Sequence, residues 1–249
     1  MTTPRRNGKR PLSPEIETYD RQTFYHDIWD YAPGEHVTIL APTGGGKTQI
    51  AYELLGYTAK PTLQAVVLVM KPRDDTVDKF TKRYKFKVVR DWPPPRLRIL
   101  EGKPPGYVLW PKEYGDPAAD DARHTTIFSR AIRDLYRKGN KITFADETYS
   151  LEKEMGLSRD LVRVWTKGRS MGDGLWAASQ RPAWISQWAY QAHHLFLAND
   201  PDQRTQERYG DIGAGFDPRM IIEILNGMQR FQFLYINRDD RSMCIVDAN

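Results

Sequence analysis

The stretch His36-Val-Thr-Ile-Leu-Ala-Pro-Thr-Gly-Gly-Gly-Lys-Thr48 constrains this chain more than any other. It joins a short apolar run, a glycine-rich loop and a helix start, in that order. Residues 41 to 48 fit the phosphate-binding pattern G-x-x-x-x-G-K-[ST] except at its first position, where Ala41 stands. Alanine resists the positive φ open to glycine, so the entry turn is expected to differ slightly. The loop Thr43, Gly44, Gly45 and Gly46 lets backbone N–H groups converge on a phosphate with no side chains in the way. Lys47 brings a point charge to the β- and γ-phosphates, and Thr48 offers a hydroxyl to Mg²⁺. A helix expected from Thr48 to about Leu55 aims its positive end at the same phosphates. A glycine-rich turn that merely precedes Lys-Thr would not require this order of strand, loop and helix. The motif implies a nucleoside triphosphate, and leaves open what its hydrolysis drives.

A second stretch, Lys141-Ile-Thr-Phe-Ala-Asp-Glu147, reads as a strand ending in two acids. Downstream of such a loop it is similar to a Walker B segment. Asp146 would hold Mg²⁺ through its water shell, because Mg²⁺ keeps waters and takes few carboxylates. Glu147 would accept a proton from the attacking water or orient it. That glutamate favours hydrolysis over transfer to a small-molecule hydroxyl, and disfavours a non-motor nucleotide switch.

Length and composition set the frame. The 249 residues suffice for one large α/β domain with a full core, and leave little room for a second catalytic one. A hydrophobic fraction of 40% excludes a disordered chain. The formal net charge of +5 points to an acidic partner, nucleic acid first. Cys244 is the sole cysteine, which excludes an internal disulfide or a cysteine-based zinc site. The pair His193-His194 leads into an apolar run and reads as structural. The N-terminus lacks a secretory apolar region, and no window reaches 18 consecutive apolar residues, so a soluble, cytoplasmic, membrane-free protein is expected.

Residues 1–33 read as a basic N-terminal arm followed by a segment with Tyr19, Phe24, Tyr25, Ile28, Trp29 and Tyr31, where a short helix packs on the core. The arm is equally compatible with a solvated tail. Residues 34–249 read as a single nucleotide-binding domain. Gln64 to Met70 is a continuous apolar run suited to a buried parallel strand. Residues 71–90 then carry eight Lys/Arg against three Asp, with Phe80, Tyr84 and Phe86 interleaved. This is a candidate nucleic-acid face, or else a solvated helix whose aromatics point to the core. Residues 91–120, rich in proline, read as an insertion with short strands at 97–100 and 107–110. A helix follows from about Arg123 to Lys138, with Ile127, Phe128, Ala131, Ile132, Leu135 and Tyr136 on one stripe. His194 to Ala198 reads as a further core strand, Pro218 to Leu225 as a helix, and 229–247 as a C-terminal β-hairpin.

The run Gly168-Arg-Ser-Met-Gly-Asp-Gly-Leu-Trp-Ala-Ala-Ser-Gln180-Arg-Pro182, taken with the two segments above, resembles the FtsK/HerA superfamily of DNA-pumping P-loop ATPases over roughly residues 34–200. The Ser-Gln-Arg-Pro string carries the likeness most specifically. The resemblance implies an α/β, RecA-like P-loop NTPase with a parallel core sheet, its sensor strand between the P-loop and Walker B strands. It implies ATP with Mg²⁺ bound at residues 43–48 and Asp146, and Gln180 beside the γ-phosphate. A strand-end amide that only caps a turn is the alternative for Gln180. Arg169, at the end of a helix from about Ser158, is expected to project and complete a neighbour's site in trans, or else merely to cap its helix. The implied function is ATP hydrolysis coupled to double-stranded DNA translocation by a homo-oligomeric ring. Viral genome packaging in the host cytoplasm is favoured, with a portal-like partner. An ATPase acting on RNA or protein is the other reading.

Overall fold

Apolar runs too continuous for a one-sided sheet decide this architecture. Val37–Leu40, Gln64–Leu68, Lys141–Ala145, Asp173–Ser179 and His194–Leu197 are buried almost throughout, as parallel strands covered on both faces must be. The computed structural model describes residues 16–95 and 102–248. The basic arm of residues 1–14 and the strand expected at 97–100 lie outside the described residues. The strands are β1 (Thr18–Tyr19), β2 (Val37–Leu40), β3 (Gln64–Leu68), β4 (Lys87–Val89), β5 (Gly106–Leu109), β6 (Lys141–Ala145), β7 (Asp173–Ser179), β8 (His194–Leu197), β9 (Phe233–Asn237) and β10 (Ser242–Val246). Among the described residues they form one sheet in the order β1-β10-β9-β8-β2-β7-β6-β3-β5-β4. From β8 to β4 the neighbours run parallel, while β9 and β10 are the antiparallel C-terminal hairpin. The glycine-rich loop follows β2, the Asp146-Glu147 pair follows β6, and β7 lies between those two strands.

The helices are α1 (Arg21–Thr23), α2 (Lys47–Thr58), α3 (Asp75–Tyr84), α4 (Pro117–Lys138), α5 (Ser158–Lys167), α6 (Gln187–Tyr190), α7 (Gln203–Glu207) and α8 (Pro218–Gly227). Strand periodicity sorts their contacts into two cores. Ile142, Phe144, Phe196, Phe233 and Tyr235 face the layer of α2 and α3. Ala145, Leu195, Leu197, Leu234 and Ile236 face the layer of α4, α5 and α8. Phe24 and Trp29 of the N-terminal segment pack on Phe196 and Tyr235, as the aromatic content of residues 15–33 predicts.

Three places refine the sequence reading. The strand expected at 107–110 is present at Gly106–Leu109, as part of the main sheet. Gly106–Leu109 is wholly buried and pairs with β3 and β4 inside the sheet. Gly106 admits the Ala65 carbonyl and the Phe86 ring where a Cβ would collide with both. Helix α4 begins at Pro117, earlier than Arg123, because Asp116 caps Ala118 N–H and proline suits the first helical turn. Thr18–Tyr19 joins the sheet edge by pairing with Ile245–Val246, two residues too few to be seen by periodicity.

Candidate active site

Strand register assembles the site. Leu40 is level with Ser179, and Ala145 with Ala177, so two further residues bring Glu147 beside Ser179. The glycine loop leaves β2 here with Gly44 and Gly46 at φ +73° and +87°, a backbone that side-chain-bearing residues resist. Gly45 donates to the Pro42 carbonyl at 3.0 Å, and a Cβ on it would meet the Ala41 side chain at 2.9 Å. Ala41 therefore fills the first motif position by packing against a glycine. Gly46 is the N-cap of α2, whose first residues are Lys47 and Thr48.

Lys47 is 9% exposed. Burial pulls its ammonium below the usual lysine range, while Glu147 and Asp146 pull it back. The Thr48 hydroxyl donates to Asp146 Oδ1 at 3.0 Å. A hydroxyl and a carboxylate at the start of a phosphate-binding helix are the few oxygen ligands that Mg²⁺ takes from protein, so the residues present fit that ion. The other Asp146 oxygen accepts from Lys71 Nζ at 3.2 Å, and Lys71 also lies 3.5 Å from Asp74, the N-cap of α3. Partial burial opposes the Lys71 charge, but the two carboxylates outweigh it and hold the ammonium above its ordinary range.

Glu147 accepts from Ser179 Oγ at 3.0 Å and from the Gln180 N–H at 3.3 Å. Burial pushes its carboxyl up, and those two hydrogen bonds oppose the shift. A raised carboxyl is a better proton acceptor once ionised. Gln180 Oε1 accepts from Thr43 Oγ1 at 2.8 Å, which ties the sensor strand to the glycine loop. Thr43, Gly44, Gly45, Gly46, Lys47, Thr48, Asp146, Glu147 and Gln180 thus lie together beyond the C-terminal ends of β2, β6 and β7.

Arg169 is not among them. It starts the turn Arg169–Met171 before β7, whereas Gln180 follows the end of that strand. Seven strand residues separate the two by roughly 20 Å. Its carbonyl abuts Gly34 ahead of β2, and its exposed guanidinium lies 3.9 Å from Asp239 in the β9–β10 turn. Arg169 cannot reach the site of its own chain.

The aromatics of residues 71–90 also divide from the cations. Phe80 stacks on Tyr52 with centroids 4.3 Å apart and packs on Phe86 at 4.4 Å. They belong to the α2–α3 core, while Lys79, Lys82, Arg83 and Lys85 are exposed. Sequence reasoning missed Lys71, Ser179 and Arg230. Ser179 was legible as the alternate residue before Gln180. Arg230, whose Nη2 sits 3.5 Å from the Gly44 carbonyl, comes from 186 residues away and carries no local signal.

This fold and this arrangement define a P-loop NTPase fold. No family model matches the sequence, and no curated protein matches it. Solved structures do. The genome packaging NTPase B204 from Sulfolobus turreted icosahedral virus 2, in complex with AMPPCP, superposes with a TM-score of 0.58 at 12% identity, over 87% of this chain and 99% of that one. The DNA-packaging ATPase B204 from Sulfolobus Turreted Icosahedral Virus gives 0.56 at 12% identity, over 87% and 98%. The virus 2 protein in complex with ATP-gammaS gives 0.55 at 13% identity, over 86% and 97%. At such identities the likeness establishes the fold.

Proposed function

We propose that this chain is an Mg²⁺-dependent ATPase that moves double-stranded DNA, in the setting of viral genome packaging. The observation that carries the ATPase reading is the convergence of Lys47, the Thr48–Asp146 pair and the Glu147–Ser179–Gln180 cluster on one glycine loop. The loop's N–H groups and the positive end of α2 bind the triphosphate. Lys47 offsets charge on the β- and γ-phosphates. Thr48 and Asp146 would hold Mg²⁺, which when bound neutralises charge shared between those phosphates. Glu147 takes a proton from the attacking water, held in place by Ser179 and the Gln180 backbone. Gln180, steered by Thr43, reports the γ-phosphate.

The DNA reading has separate support. Exposed Lys79, Lys82, Arg83 and Lys85 give α3 and its end a cationic face. Structures of packaging NTPases share this fold over nearly their whole length. Among the described residues no helix is long and apolar enough to cross a membrane. In this reading residues 34–249 are one ATPase unit in a homo-oligomeric ring in the host cytoplasm, docked on a portal-like protein, with residues 1–33 as a basic arm and packing segment. Arg169 belongs to it only in trans, completing the site of a neighbouring subunit.

The test is steady-state ATP hydrolysis with Mg²⁺, alone and with duplex or single-stranded DNA. Stimulation by duplex in preference to single strands is expected. Hydrolysis that ignores DNA, or that responds to RNA instead, would overturn the DNA assignment. No hydrolysis at all would overturn the ATPase assignment.

A further inference from the structure

Phe231 occupies a position that a large side chain avoids. Its φ is +71°, in the left-handed region where a bulky residue is an outlier and a glycine would sit without strain. The turn around it is closed by Gln229 N–H to Gln232 Oε1 at 2.7 Å and Gln232 N–H to the Gln229 carbonyl at 3.2 Å. Strain of this kind persists where the surroundings enforce it, and it collects at ligand clamps. Here it sets a ring against the glycine loop: Phe231 Cδ1 lies 3.2 Å from where a Cβ on Gly46 would stand. Arg230 covers the ring at 4.5 Å and reaches Gly44. Yet the side chain remains 39% exposed, beside a cavity of about 350 Å³ that it shares with Gly44, Gly45, Asn199 and Asn226.

The direction of the triphosphate selects among the exposed aromatics. Its γ end belongs beside Glu147 and Gln180, on the β6–β7 flank of the glycine loop. The base must lie toward the other end. Trp184 is also exposed, but it lines the cavity of Gln180 and Arg181, on the γ side. Phe231 precedes β9 and stands on the β8–β9 flank, against the N-cap of the helix that receives the phosphates.

Resting on the nucleotide reading above, we infer that Phe231, clamped by Arg230, is the platform on which the nucleobase stacks. Aromatic faces bind bases by stacking, with little demand on their hydrogen-bonding edges. The site should therefore prefer a nucleotide to a bare phosphate chain.

Calorimetry with Mg²⁺ and two ligands, ATP-gammaS and inorganic tripolyphosphate, tests this. The proteins are wild type, Phe231→Ala, Phe231→Gly, Phe231→Tyr and Trp184→Ala. Phe231→Gly removes the ring and relaxes the backbone, so it guards against a folding defect in Phe231→Ala. Loss of one stacked base should weaken ATP-gammaS by about tenfold in both. Tripolyphosphate should bind as to wild type, Phe231→Tyr should retain affinity, and Trp184→Ala should leave the ratio of the two ligands unchanged. Unchanged ATP-gammaS affinity in Phe231→Gly would overturn the inference, and so would equal weakening of both ligands, which marks a ring that serves only the loop. Wild-type protein that binds neither ligand would remove the nucleotide reading and this one with it. Wild-type binding of both, abolished for both by Lys47→Ala, upholds the nucleotide reading whatever Phe231 does.

Discussion

Glu147→Gln separates chemistry from binding and from folding. The carboxylate accepts two hydrogen bonds, from Ser179 Oγ at 3.0 Å and the Gln180 N–H at 3.3 Å. Glutamine keeps an oxygen for the Gln180 N–H and turns its amide toward Ser179, whose hydroxyl can rotate and accept. Both charge-assisted bonds become neutral, a loss of about 1–2 kcal/mol in all. Relief of the burial that raises the Glu147 carboxyl works in the opposite direction. Folding should therefore change little. Thr48, Asp146 and Lys47 are untouched, so ATP and Mg²⁺ should still bind. Hydrolysis loses its proton acceptor, which is worth ~10²–10⁴ in rate, or about 3–5 kcal/mol of barrier. Single-turnover hydrolysis with enzyme in excess measures the step, with calorimetric ATP affinity and thermal unfolding as controls. Hydrolysis within about threefold of wild type would remove Glu147 from the proton-transfer role. A large fall in unfolding temperature would make the lost activity structural.

Replacing Lys82, Arg83 and Lys85 together by Gln should lower the salt dependence of duplex binding by up to about two to three contacts, leaving basal hydrolysis intact; an unchanged slope would move the DNA contact off this face. Arg169→Ala mixed with Glu147→Gln should regain some hydrolysis, because a mixed interface can pair Glu147 of one subunit with Arg169 of the next. No recovery in confirmed assemblies would count against the trans role. Asp173 is fully buried with neither carboxylate oxygen hydrogen-bonded among the described residues, and burial pushes it up to about 7 against the opposing charge of Lys141. Its folded pKa exceeds its unfolded one, so the protonated form is favoured by folding and stability falls as pH rises from about 4 to 7. Asp173→Asn should lack that fall, gaining on wild type by on the order of 4 kcal/mol across the window in denaturant unfolding, and parallel curves would refute the burial argument.

Much of the fold was legible because parallel strands buried on both faces write themselves as apolar runs, as Gln64–Leu68 and His194–Leu197 do. The candidate site was legible where its residues are local: six in a row from the glycine loop into α2, two acids after β6, one amide after β7. What stayed hidden depends on long-range geometry. Gly106–Leu109 reads as a strand, but nothing local announces it as a pairing partner for β3. Phe80 and Phe86 share a segment with exposed lysines, and only the packing of α3 on α2 decides which face each takes. Arg169 and Gln180 are eleven positions apart in the chain, yet a whole strand of seven residues holds them at opposite ends of β7. Phe231 reaches Gly46 through the return of β9 beside β8, a juxtaposition that no spacing encodes.

Displacement of a third strand from a DNA triplex, placed far along a duplex from the loading end, measures movement itself. With Mg²⁺ and ATP the wild-type protein should release the third strand, at a rate that falls as the intervening duplex lengthens. Lys47→Ala and Glu147→Gln should release none. A wild-type protein that hydrolyses ATP on duplex DNA yet leaves the triplex intact would contradict translocation as the work this site performs.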